Sequence, residues 1–150
     1  MLRNILYIPL SWLYTIGVAI RHLLFDQRII PSFTVEVPTI CVGNIAMGGT
    51  GKTPMTAYIV QLLLAHGYHP AILSRGYKRR TRGFLLADTA STVDTIGDEA
   101  MQLHRAFPEV PVAVCENRVR GVHQLQRQVN ELDVVVLDDA MQHRAIRCGM

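Results

Sequence analysis

Residues 39–54 read T-I-C-V-G-N-I-A-M-G-G-T-G-K-T-P, an apolar run that passes through a glycine-rich segment directly into a helix-compatible stretch. A strand that feeds a helix in this way reaches its next strand by a crossover, which makes the pair parallel and sets an α/β architecture. The segment is also chemically specific. Gly48, Gly49 and Gly51 lack Cβ, so the backbone can turn several N–H groups toward one centre where phosphate oxygens sit, with Thr50 carried between them. Lys52 adds a point charge. Thr53 opens the following helix, which places a hydroxyl where Mg²⁺ can be ligated and aims the positive helix end at the phosphates. The loop is a variant of G-x-x-x-x-G-K-[ST], because Ala46 stands at the first glycine and the Gly48-Gly49 pair takes over its flexibility. A plain joining turn needs one or two glycines and has no use for G-K-T.

The remaining pattern alternates strand and helix. A strand is predicted at 39–42, a helix over 53–66 closed by Gly67, a strand at 71–74, a helix over 97–107, a strand at 112–115, a helix over 118–132 and a strand at 133–137. Residues 83–87 fit a further short strand. This order predicts a P-loop NTPase-like, doubly wound, mostly parallel sheet covered on both faces. The composition, 49% hydrophobic and 18% charged over 150 residues, permits such a buried sheet in one domain. A formal net charge of +3 is too small to argue for nucleic acid, and no nucleic-acid partner is expected. Cys41, Cys115 and Cys148 show no ligand spacing, which points to a reducing compartment without structural zinc; Cys41 and Cys115 read as core residues.

Residues 5–20 carry no charge and are bracketed by Arg3 and Arg21. The stretch falls short of the roughly 20 residues that span a bilayer and is interrupted by Pro9 and Gly17, so a monotopic helix is favoured over a crossing. Tyr7, Trp12 and Tyr14 suit the interfacial layer. A signal peptide and a core helix packed on the domain are the competing readings; the first is opposed by the absence of a small-x-small cleavage pattern. The chain thus divides into an apolar membrane-associating helix (1–26), a connector (27–38) and a nucleotide-binding core (39–150).

A second signal is V-V-V-L-D-D at 134–139, an apolar run ending in Asp138 and Asp139, which resembles a Walker B strand. Ligands of open parallel sheets bind off the carboxyl ends of strands, so this acid is delivered beside the glycine loop, where it can hold Mg²⁺. Asp98 and Glu99 precede a helical stretch. They either favour its N-terminus or reach the active site, where a carboxylate takes the proton of an attacking hydroxyl. Arg118 either neutralises phosphate charge or is a solvated residue at a helix start. Residues 75–82 carry five cations, a solvated face or a grip on an anionic substrate or lipid headgroups. His143 follows Asp139 by one helical turn as a supporting partner or a structural residue.

With V-G-N-I-A-M-G-G-T-G-K-T-P, L-S-R-G-Y, G-D-E-A, E-N-R and L-D-D-A-M-Q-H-R in this order, the chain resembles the N-terminal half of the tetraacyldisaccharide 4'-kinases, membrane-associated P-loop kinases of lipid A biosynthesis. The resemblance implies ATP and Mg²⁺ as cofactors and a glucosamine disaccharide phosphate, the lipid A precursor, as acceptor, at the cytoplasmic face of the bacterial inner membrane. It implies that Lys52 and Thr53 contact the ATP phosphates and Mg²⁺ and that Asp98 is the base toward the sugar 4'-hydroxyl. Glu99, Asp138 and Asp139 shape the metal site, and Arg118, Gln142 and His143 support it. Family members carry a second α/β lobe contributing a histidine partner for the aspartate, and nothing in these residues supplies it.

The leading expectation is in-line transfer of the ATP γ-phosphoryl group to the 4'-hydroxyl of a tetraacyldisaccharide 1-phosphate. Its rival is a membrane-associated nucleotide-switch ATPase of the partition or cell-division type. Such proteins place a lysine early in the loop, where this chain has Met47.

Overall fold

Unbroken runs of β-branched and aliphatic residues can be buried on both sides only in the middle of a sheet with helices on each face, and the runs of this chain are used that way. The computed structural model describes residues 12, 15–17, 23, 35–43 and 52–138. Contacts divide the chain into two units, Met1–Ser32 and Phe33–Met150. In the first, the described residues 12, 15–17 and 23 are helical, and Trp12, Ile16 and Leu23 are exposed. Among the described residues no helix is long and apolar enough to cross a membrane. The rest of the apolar stretch expected at 1–26 lies outside the described residues.

The second unit runs β1 (Thr39–Val42), α1 (Lys52–Ala65), β2 (Pro70–Ser74), β3 (Leu85–Leu86), α2 (Val93–Ile96), α3 (Asp98–Ala106), β4 (Val112–Val114), α4 (Arg118–Gln128) and β5 (Val134–Asp138). The sheet order is β1-β5-β2-β4-β3. The β1–β5, β5–β2 and β2–β4 pairs are parallel, and β3 joins β4 antiparallel at the edge. This is the mostly parallel α/β sheet that the alternating pattern predicts.

Side chains alternate between two cores, one on each face. Ala71, Leu73, Ala113, Val135 and Leu137 pack with Val122 and Leu125 of α4. Ile72, Val112, Val114 and Val136 pack with Val60 of α1 and with Ala100 and Leu103 of α3 on the other side. Most of these residues are fully buried, and each large apolar side chain so placed is stabilised by about 1.5–3 kcal/mol. Cys115 is buried and free, as expected of a core thiol. Cys41 is half-buried and packs against the core on the α4 face.

Most boundaries shift by only a residue or two; the differences below bear on the site. Before residue 97 the chain forms α2, a single turn closed by mutual capping of Thr92 and Thr95 that the expected elements do not include. The helix expected over 118–132 ends at Gln128, and Glu131 takes a positive φ of 56° in the turn before β5. β5 begins one residue late and ends on Asp138, which makes that carboxylate the last residue of the strand.

Gly97 separates α2 from α3 at φ 88°, ψ 161°, a region open to almost no other residue. A Cβ there would stand 2.8 Å from the Tyr77 carbonyl oxygen, a backbone atom. Gly97→Ala is therefore expected to cost about 2–3 kcal/mol or more, read as a lower urea midpoint at unchanged m-value; a midpoint equal to wild type would remove the strain argument.

Candidate phosphoryl-transfer site

In a parallel sheet all carboxyl ends face one rim, and the register defines which residues meet there. Val42, the last residue of β1, is paired with Asp138 at the end of β5, and the neighbouring β2 runs parallel to β5 with Leu73 opposite Leu137. The chain therefore leaves β1 beside the Asp138 tip. Gly48, Gly49, Thr50 and Gly51 lie outside the described residues, as do Asp139, Gln142 and His143. Lys52 is the first residue of α1, and Thr53, half-buried, follows it in the first turn.

Asp138 is buried, and its Oδ1 accepts a hydrogen bond of 3.0 Å from the Thr56 hydroxyl, itself fully buried in α1. Thr56 stands one helical turn beyond Lys52, about 6 Å along the axis. The start of the helix that follows the glycine segment is thus docked on the acidic tip of β5. Sequence reasoning did not single out Thr56; its signal was a polar residue on the inward face of an otherwise apolar helix.

Of the two readings of Arg118, burial excludes the solvated residue at a helix start. It is 2% exposed. Its Nη1 donates to the Cys115 carbonyl at 2.6 Å and its Nη2 to the Asp138 carbonyl at 3.2 Å, joining the ends of β4 and β5. The preceding residue, Asn117, caps α4 by accepting from the Arg120 amide.

Asp98 and Glu99 form the first turn of α3, and Asp98 Oδ1 accepts from the Glu99 amide at 3.0 Å. Both line a cleft of about 350 Å³ with Val93, Met101, Gln102 and Arg105. Gly97 lies against Gly76 and Tyr77, so the Asp98 segment packs beside the turn that leaves the carboxyl end of β2. Asp98 and Glu99 thus stand at the helix start, as the first of the two readings has it, and open onto a cleft along α3.

The basic run 75–82 is not a uniform solvated face. The Arg79 side chain is 2% exposed, and its Nη2 donates to the Gly83 carbonyl at 2.5 Å and to Glu116 Oε1 at 2.6 Å. Glu116 Oε2 accepts from the Gly83 amide at 3.0 Å. Burial pushes the Glu116 carboxyl up, but the hydrogen bonds from Arg79 and Gly83 outweigh it and hold the group below the usual glutamate range. Arg80 pairs with Asp94 at 3.5 Å, and Lys78 lies 5.3 Å from the Tyr77 ring centre. Among the described residues no cluster of three His, Cys, Asp or Glu groups is arranged to hold a metal.

A family model described as LpxK: Tetraacyldisaccharide-1-P 4'-kinase matches residues 3–149. The tetraacyldisaccharide 4'-kinase of Bacteroides thetaiotaomicron is 49% identical over 143 residues, which are 95% of this chain and 37% of that protein. That of Flavobacterium johnsoniae is 46% identical over 149 residues, 99% of this chain and 43% of the relative. A crystal structure of LpxK from Aquifex aeolicus in complex with ATP superposes with a TM-score of 0.87 at 34% identity, covering 99% of this chain and 47% of the other. The chain spans about two-fifths of the length of the curated relatives it matches.

Proposed function

We propose that this chain, which belongs to the tetraacyldisaccharide-1-P 4'-kinase family, forms the nucleotide-binding part of an enzyme that transfers the γ-phosphoryl group of ATP to the 4'-hydroxyl of a tetraacyldisaccharide 1-phosphate in lipid A biosynthesis. The observation that carries this reading is the clasp between Thr56 of α1 and Asp138 of β5. It supports a rim where a phosphate-binding loop and a buried carboxylate serve one triphosphate. The relatives act as the parallel case, and one of them has been crystallised in complex with ATP.

In this reading Gly48, Gly49, Thr50 and Gly51 present backbone N–H groups to the phosphates, and Lys52 supplies charge that strengthens as the γ-phosphoryl group departs. The Thr53 hydroxyl and the carboxylates of Asp138, Asp139 and Glu99 are hard oxygen donors, the type Mg²⁺ requires. Bound there, Mg²⁺ neutralises charge on the phosphates. Asp98, in its cleft, accepts the proton of the 4'-hydroxyl as that oxygen attacks phosphorus. Arg118 holds the ends of β4 and β5 and adds positive charge behind Asp138. Gln142 and His143 support the same rim, and the second lobe of longer relatives completes the site.

The acceptor is a lipid, and two features suit a membrane surface at the cytoplasmic face of the inner membrane. Trp12, Ile16 and Leu23 are exposed on helical backbone, apolar groups fit for the interfacial layer. Arg75, Lys78 and Arg82 add charge for anionic headgroups. The test is an assay of the full-length protein with γ-labelled ATP and the disaccharide 1-phosphate in mixed micelles. Label recovered in lipid is expected; label recovered only as free phosphate would replace the kinase reading with a nucleotide switch.

A further inference from the structure

Three short motifs, L-S-R-G-Y, G-D-E-A and E-N-R, lie far apart in sequence yet meet at one turn, through the packing of Gly97 on Gly76 and Tyr77 and the ion pair of Arg79 with Glu116. The Arg79 side chain is packed against Gly76, whose missing Cβ would sit 2.7 Å from Arg79 Nε and against Cδ. With φ at 72° as well, Gly76 is required both by the turn and by the arginine that lies against it. The same turn reaches Gly97 from the other side. Tyr77 O and the Gly76 carbonyl carbon would lie 2.8 and 3.3 Å from a Cβ on Gly97, the residue immediately before Asp98. The loop is further tied to α2 by the bond from the Arg80 amide to the Asp94 carbonyl, 2.8 Å, and from the Thr81 hydroxyl to the Thr95 carbonyl, 2.6 Å.

The other end of the pair, Glu116, precedes Asn117 and Arg118, the cap of α4 and the arginine bonded to the Asp138 carbonyl. One continuous path of contacts therefore runs from Asp98 through Gly97, the Gly76–Tyr77 turn, Arg79, Glu116 and Arg118 to Asp138. We propose that Arg79 and Glu116 are positioning residues, which fix the segment bearing Asp98 relative to the strand tip bearing Asp138 and so set the alignment of acceptor and phosphates. This rests on the kinase reading above and names residues it does not use.

The chemistry of the pair fits placement better than stability. Glu116 is 46% exposed, and ion pairs open to water on one side contribute little to stability. Arg79 Nε and Nη1 are buried without hydrogen-bond partners among the described residues, a cost that a purely stabilising contact would not carry. What the guanidinium gains is geometry. Its Nη2 is shared between Gly83 and Glu116, and the rigid fork holds both at once.

The test uses Arg79→Lys and Glu116→Gln in the full-length protein. Lysine keeps the charge without the fork; glutamine keeps the acceptor for Arg79 but cannot accept from the Gly83 amide. Each is expected to lower kcat roughly tenfold to a hundredfold, the scale for ångström-level misplacement, while KM for ATP and the melting temperature stay at wild-type values. The double variant is expected to lose no more than the worse single one, because both break the same link. Amide exchange in the first turn of α3 is expected to quicken in Glu116→Gln. Wild-type kcat in both variants, or a kcat loss that tracks a falling melting temperature, would overturn the positioning role. A wild-type protein that phosphorylates no disaccharide defeats the parent reading instead, and the exchange measurement still decides whether the pair holds α3.

Discussion

Asp98→Ala is expected to bind ATP with wild-type affinity and to transfer phosphoryl roughly 10²- to 10⁴-fold more slowly, the span that general-base catalysis supplies. The separation of the two effects follows from where Asp98 stands. It opens α3 rather than α1, it lines the cleft with Met101 and Arg105, and its nearest backbone support is the Gly76–Tyr77 turn after β2. None of these elements carries the glycine segment. Removing the carboxylate leaves the helix start capped by Gly97 and costs the helix an exposed hydrogen bond to the Glu99 amide and the small interaction of a negative charge with its dipole. The rate should therefore fall with no comparable change in stability. A variant that transfers at the wild-type rate would reduce Asp98 to a helix-start residue, the bland alternative its sequence context also allowed. Loss of ATP binding together with transfer would point to a different role at the phosphates.

Lys52→Ala is expected to fail at both steps. Lys52 begins the helix whose second turn is docked on Asp138 by Thr56, and in the kinase reading its ammonium meets the phosphates that Mg²⁺ also neutralises. Losing a hydrogen bond to a charged group costs about 1.5–3 kcal/mol, or roughly tenfold to a hundredfold in ATP affinity. Charge that develops as the γ-phosphoryl group leaves is then unopposed, so kcat falls by a further factor of roughly 10² to 10³. Titration with ATP followed by the labelled transfer assay separates the two. Wild-type affinity and turnover would take the glycine loop out of the mechanism.

Much of this site was legible because it is written locally. The run V-V-V-L-D-D needs only composition and order to be read as a buried strand tipped with acid, and the β-α alternation is enough to place it parallel to the strand at 39–42. What escaped was decided by long-range contact. Thr56 meets Asp138 across 82 positions, and nothing near Thr56 announces that partner. Arg118 could be read as a phosphate-neutralising or a solvated residue, and only the sheet brings the two strand-end carbonyls that bury it. The basic run read as one charged face, yet Arg79 turns inward because Gly76 leaves room and Glu116 arrives from β4. The α2 turn was missed for a local reason instead: one turn of helix closed by Thr92 and Thr95 is too short to display a period.

Whether a glycine cradle and an acidic strand tip serve a single nucleotide and its metal is decided by calorimetric titration of ATP with and without Mg²⁺. Asp138→Asn keeps an acceptor for Thr56 and leaves the backbone carbonyl used by Arg118, so the fold should persist while the metal ligand weakens. The predicted result is that Asp138→Asn loses the gain in affinity that Mg²⁺ confers on the wild type yet binds metal-free ATP as the wild type does. An Asp138→Asn protein that keeps the full Mg²⁺ gain would contradict the shared rim.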